Sequence, residues 1–276
     1  MRLLSWLSRP PRHPEELRRQ RQELRRQHQL NIAGAEHQLV LFLVTSLLPV
    51  LVLPWAKGNA SLIESLVVPV VMTLVVIQSI RTLPRFDNRP LSGRMFRLFQ
   101  SLGALSALGC WLLLLPGVWA VRQAHVTVMG LLAVFLTFSA IRLVQMLALV
   151  PRVNLQVLAG AAGGYVHLGL TGGVIATMMQ HHDPTTFNLG HSVDHETILE
   201  RLVYFSYITV STLGYGDVVP TNVFGERFVV LLGLSSTLYV SLLVGLLLGR
   251  FVAPSEPGAL TPEELEDALH ESRWGP

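Results

Sequence analysis

The residues best suited to hold something are Thr212, Leu213, Gly214, Tyr215 and Gly216, and what they offer is peptide oxygens rather than an acid–base pair. Gly214 and Gly216 allow backbone angles that a side chain would forbid, so consecutive carbonyls of an extended strip can face one axis. Thr212 adds a hydroxyl oxygen at one end of the strip. Leu213 and Tyr215 then point away from the axis and brace it from behind. Stacked rings of such carbonyls can take the place of the water shell around a dehydrated alkali cation. One strip cannot encircle an ion, so rings of four carbonyls call for a homotetramer, with the chain working alone.

Non-helical backbone at membrane depth is tolerated only where it is buried or lines water, so the elements around the strip decide whether it can act. Half of the 276 residues are hydrophobic and 14% are charged, and the mean hydropathy is +0.46. These values belong to membrane proteins rather than to water-soluble domains. A helix needs about 20 residues to cross roughly 30 Å of hydrocarbon. Stretches 39–55, 61–80, 98–120, 126–150, 155–179 and 224–252 meet that length. The expected fold class is an all-α membrane protein, with six transmembrane helices plus a re-entrant pore helix and a selectivity-filter loop.

Within this plan, residues 1–36 form a basic cytoplasmic segment and 37–153 a four-helix membrane domain. Residues 154–253 form the pore domain, with a pore helix at 196–211, the filter at 212–216 and an inner helix at 224–252. Residues 254–276 form a short acidic cytoplasmic tail. Arginines gather before the first span (Arg18, Arg19, Arg21, Arg25, Arg26), between the second and third (Arg81, Arg85, Arg89, Arg94, Arg97) and at Arg152. The opposite loops carry Lys57, the only lysine, with Arg122 and Arg201. The positive-inside rule therefore places both termini in the cytoplasm of a multi-pass protein of the plasma or inner membrane. The formal charge of +3 reflects this topology and implies no nucleic-acid partner. The basic stretch 14–30 suits either a helix on anionic lipid or a solvated one that only enforces topology.

In the fourth span Arg142 is the only ionised residue. One charge crossing the full field yields about 2.3 kcal/mol per 100 mV, whereas steep gating uses three to four charges per subunit. Weak or absent voltage dependence is expected. Gly160, Gly163, Gly164, Gly169, Gly172 and Gly173 make the fifth span a surface that other helices can approach closely, and the sixth span and a neighbouring subunit are its expected partners. Asp194 is a candidate N-cap of the short pore helix and Glu196 falls in its first turn. Thr237, Val240, Val244, Leu248 and Phe251 share one face of the sixth span and form a candidate cavity lining and gate, or an ordinary packing stripe. His181, His182, Asp183, His191, Asp194, His195 and Glu196 gather in the outer loop without a structural-zinc spacing, so an exposed turret with no metal role is expected. Cys110 has no partner for a disulfide within the chain.

The strip Thr212-Leu213-Gly214-Tyr215-Gly216-Asp217, the preceding Tyr204-Phe205-Ser206 and Thr209, and the following Pro220 and Phe224-Gly225 resemble the potassium channel family. The six-helix prokaryotic type without an arginine repeat is the nearest pattern. The resemblance covers residues 155–252 well and the remainder only by helix count. It implies that Thr212, Leu213, Gly214, Tyr215 and Gly216 coordinate transported K+, with no further cofactor. It also implies that Tyr204, Phe205 and Thr209 form a cuff around Tyr215, and that Asp217 anchors the outer mouth by bonding to that cuff. Leu213 stands where the family usually has valine, and its usual hinge glycine falls at Ser236, with Gly233 one turn earlier.

The function this implies is passive, potassium-selective conduction with membrane lipid around the tetramer and no small-molecule ligand. A less selective cation channel is one alternative, and a non-conducting membrane scaffold or sensor that retains the pore fold is another. No nucleophile–base set, phosphate loop or metal motif points to an enzyme.

Overall fold

The computed structural model describes residues 37–53, 62–82, 93–115, 117, 121–149, 155–190 and 198–252. Among them are seven helices and two very short strands. In chain order these are α1 (His37–Val52), α2 (Leu62–Thr82), α3 (Gly93–Leu112), α4 (Arg122–Leu149), α5 (Leu155–His182), β1 (Phe187–Asn188), α6 (Ile198–Val210), β2 (Val219–Pro220) and α7 (Val223–Val252). By length and composition, the stretches Arg122–Leu147, Leu155–His182 and Val223–Gly245 are long and apolar enough to cross a membrane, whereas His37–Val52 and Leu66–Thr82 are apolar but shorter.

Most bounds fall within a few residues of the sequence expectation, with α4 beginning at Arg122 rather than 126 and α5 running to His182 rather than 179. The third span differs most. The stretch expected at 98–120 is helical from Gly93 to Leu112 and passes into a turn at 113–115. Proline disfavours helical geometry in the residue before it, and Leu115 precedes Pro116, so the apolar run continues after the helix has stopped. The basic segment 1–36, the acidic tail 254–276, Glu64, Arg152 and the proposed capping pair Asp194 and Glu196 lie outside the described residues or side chains.

A core of Phe42, Met72, Val75, Phe99, Leu132, Phe135, Leu136 and Leu170 joins the first four helices to α5. Phe99 stacks on Phe135 with ring centroids 4.8 Å apart. Glycine costs a helix about 1 kcal/mol relative to alanine, yet α5 is helical through all of its glycines because packing against neighbours offsets that cost. Their partners are only partly those expected. A Cβ on Gly160 would meet Leu39 of α1 at 2.7 Å, and one on Gly164 would meet the Tyr239 hydroxyl of α7 at 2.3 Å. The closest seam is with the short helix α6, where added Cβ atoms at Gly169, Gly172 and Gly173 would meet Tyr207, Ser206 and Val203 at 2.3, 2.4 and 2.6 Å.

Candidate functional site: a strip at the end of a short helix

Helix α6 has 13 residues, a length of about 20 Å, too short for a hydrocarbon layer of about 30 Å. Its buried side, Leu199, Leu202, Val203, Ser206 and Val210, lies against the rest of the chain. Hydroxyl donors fasten the seam. The Ser206 hydroxyl donates to the Gly169 carbonyl at 2.7 Å, and the Tyr207 hydroxyl donates to the Val166 carbonyl at 2.8 Å.

The helix ends in a Schellman turn. The Thr212 N–H donates to the Thr209 carbonyl at 3.0 Å and the Leu213 N–H to the Ile208 carbonyl at 2.9 Å, which satisfies two carbonyls that the helix end would otherwise orphan. The turn residue is Thr212, with φ +62°. Glycine usually fills such a left-handed position, and a β-branched residue there costs roughly 1–2 kcal/mol. Gly214 and Gly216 follow with φ +55° and +77°, while Leu213 and Tyr215 stay outside the positive-φ region. Left-handed residues therefore alternate along the strip. Leu213 and Tyr215 are 59% and 67% exposed, so a single chain leaves the strip uncovered.

The strip returns through a collar built on the loop after α5. Strand β2 pairs antiparallel with β1, Phe187 opposite Pro220 and Asn188 opposite Val219. The Gln180 amide donates to the Pro184 and Phe187 carbonyls and its Oε1 accepts the Phe187 N–H, which closes that loop on α5. Asn222 caps α7, its Oδ1 accepting the Gly225 N–H at 2.9 Å, while its amide donates to Asp183 at 3.1 Å. Donation from the Thr185 hydroxyl and then from its backbone N–H holds the Asp183 carboxyl below its ordinary pKa. This local fastening is present at neutral pH and is lost as pH falls through the lowered value.

Asp217 directly follows the strip, and its carboxylate pairs with Arg201 at 3.0 Å. The guanidinium also sits 5.3 Å from the Tyr204 ring centroid. Arg201 thus contacts both Asp217 and Tyr204. Sequence reasoning counted Arg201, at the pore helix, only as a topological charge, and its pairing with Asp217 is an addition. Phe205 is buried on Phe187, with ring centroids 5.4 Å apart, and Thr209 donates to the Phe205 carbonyl of its own helix. Within one chain these two side chains form no cuff on Tyr215.

We expect Arg201→Gln to lower the thermal midpoint only slightly, because both partners are about a third exposed and such pairs contribute about 1 kcal/mol or less. The larger effect should fall on the residence of the strip in one conformation, read as faster backbone hydrogen exchange at 213–216. Exchange at the wild-type rate would remove this role for the pair.

Along α7, Thr237, Val240 and Val244 are exposed in the single chain, and the Thr237 hydroxyl donates back to Gly233 at 3.0 Å. The side chains of Leu248 and Phe251 lie outside those described. His181, expected in an exposed outer loop, lies in the last turn of α5 and is buried, with its ring 5.0 Å from that of His125. His182 and Asp183 follow it, and no group of metal-ligating side chains occurs among the described residues; His191, Asp194, His195 and Glu196 lie outside them. A separate cavity of about 460 Å³ with apolar walls opens between α4, α5 and α7, lined by Ala140, Leu168, Leu238 and Leu242 among others, away from the strip.

Residues 168–253 match a family model described as ion channel. This stretch takes in most of α5, all of α6 and the strip, and α7. Over 99 residues, 36% of the chain, the sequence is 36% identical to the calcium-activated potassium channel slowpoke of Drosophila melanogaster. The chain spans only 7% of that relative's length. No solved structure gives a significant match. Together with the helices long and apolar enough to cross a membrane, the match to an ion-channel model marks the chain as a membrane protein.

Proposed function

We propose that the chain is a potassium-selective channel that conducts passively through a homotetrameric pore. The observation that carries this reading is the strip itself: an exposed backbone segment whose left-handed residues alternate at Thr212, Gly214 and Gly216, held at the C-terminal end of a short helix. In an extended strip, such alternation lets successive carbonyls turn to one side, where four copies can form rings of oxygen ligands around a dehydrated cation. Potassium is the cargo, coordinated by the peptide oxygens of Thr212, Leu213, Gly214, Tyr215 and Gly216 and by the Thr212 hydroxyl. The helix dipole adds partial negative charge behind the inner end of the strip. Strain at Thr212 fits this role, since residues held in sparsely populated angles concentrate at functional sites.

In this reading α6 is the pore helix, α7 the inner helix and the first four helices a peripheral domain, giving six spans in all. The arginine distribution puts the termini on the cytoplasmic side of the plasma or inner membrane. Conduction needs no cofactor and no catalytic step. Thr237, Val240 and Val244 line the route below the strip.

Purified protein in liposomes tests the reading. The expected result is barium-sensitive potassium flux, with a reversal potential that follows potassium rather than sodium. Equal permeation of the two ions would replace it with a less selective cation channel, and no flux with a non-conducting scaffold or sensor. Gating should depend little on voltage, because Arg142, whose guanidinium donates to Gln145 at 3.2 Å, is the only charge within α4 after Arg122. A conductance–voltage curve steep enough to need three or four charges per subunit would contradict that expectation.

A further inference from the structure

The carbonyl of Val210, the last residue of α6, is held from two sides. The Tyr165 hydroxyl of α5 donates to it at 2.8 Å, and the Ser236 hydroxyl of α7 reaches it at 3.1 Å. Ser236 is almost fully buried, and its oxygen also lies 3.0 Å from the Gly233 carbonyl of its own helix. A serine hydroxyl has one proton to donate, so at any moment it serves Val210 or Gly233. The two acceptors belong to different elements. Donation to Val210 ties the inner helix to the base of the strip, two residues before Thr212; donation to Gly233 leaves α7 satisfied within itself.

We propose that Ser236 is a positioning residue that couples the inner helix to the selectivity strip. While α7 lies against α6, its hydroxyl holds the Val210 carbonyl and so fixes where the Schellman turn places Thr212. When α7 leans away, the proton passes to the Gly233 carbonyl and no buried donor is left unpaired, so the separation loses little hydrogen bonding. Tyr165 then remains as the second holder of the same carbonyl. This inference rests on the channel reading and adds a device by which bending of the inner helix reaches the ion-binding oxygens.

Single-channel recording of the full chain in planar bilayers, alongside its thermal midpoint, tests the coupling. Ser236→Ala should change the mean open time by about threefold or more, the scale of one hydrogen bond, with the thermal midpoint nearly unchanged. Tyr165→Phe should shift open time in the same direction, because it loosens the same carbonyl from the other side. The combined variant should depart from the product of the two single effects. Open times at the wild-type value in both single variants would overturn the proposal, as would changes that only track loss of thermal stability. If Ser236→Ala fails to assemble, the Tyr165→Phe record decides alone. A wild-type chain that passes no potassium would overturn the channel reading and the coupling together, whereas a conducting wild type with indifferent variants would overturn only the coupling.

Discussion

Gly214→Ala should abolish selective potassium flux while leaving the protein folded. In one chain a Cβ at this position meets nothing within 4 Å, so crowding is not the reason. The reason is backbone angle. At φ +55°, an alanine costs roughly 1–2 kcal/mol relative to its preferred regions. Four copies around one axis raise this to about 4 kcal/mol or more, enough to move the strip's conformational equilibrium by several hundredfold. Carbonyls that no longer face the axis cannot replace the water of a dehydrated ion. Flux in liposomes should fall by more than about tenfold and the preference over sodium should vanish. The fold of each subunit should persist, because the strip contributes little to the core of a single chain. Wild-type flux and selectivity in this variant would sink the assignment of the strip.

The largest effect on stability should come from Gly173→Ala. The added Cβ would lie 2.6 Å from the Val203 Cα, and a backbone atom cannot turn aside as a flexible side chain can. Helices α5 and α6 would have to separate, at a cost typical of overpacking, about 1–3 kcal/mol. The same shift would open the neighbouring contacts of Gly169 with Tyr207 and Gly172 with Ser206. A fall of roughly 5 °C in the thermal midpoint in detergent is expected. Gly130→Ala is the control, since its Cβ would meet only the Met178 sulfur, at 3.4 Å, and should be tolerated. Equal midpoints for the two variants would show that the α5–α6 seam is not tight in solution.

Much of the architecture was legible because it rests on local chemistry. Apolar length announces helices, and the stretch before Thr212 is too short and polar to cross alone, so a short helix ahead of the strip was readable and the chain is helical over Ile198–Val210. Glycines at 214 and 216 announced left-handed backbone, and both have it. The left-handed turn at Thr212 was not legible, because a threonine carries no local sign of it; two hydrogen bonds back to α6 impose the angle. The third span was misjudged at its end for a related reason: hydropathy continues past Leu112, while the backbone obeys Pro116.

The sequence by itself determined that this chain has a carbonyl-rich strip among membrane-capable helices, that one helix is built for close approach, and that the fourth span carries a single charge. Those properties reside in residue type and spacing. Only the tertiary structure decided what meets what: α6 against the glycines of α5, Arg201 on Asp217, Phe205 on Phe187, His181 buried beside His125, and Tyr165 with Ser236 at the Val210 carbonyl. Periodicity says which residues share a face, and it is silent on which distant element covers that face. Contacts between residues far apart in the chain are set by the packing of whole helices, and they become definite only once the chain has folded.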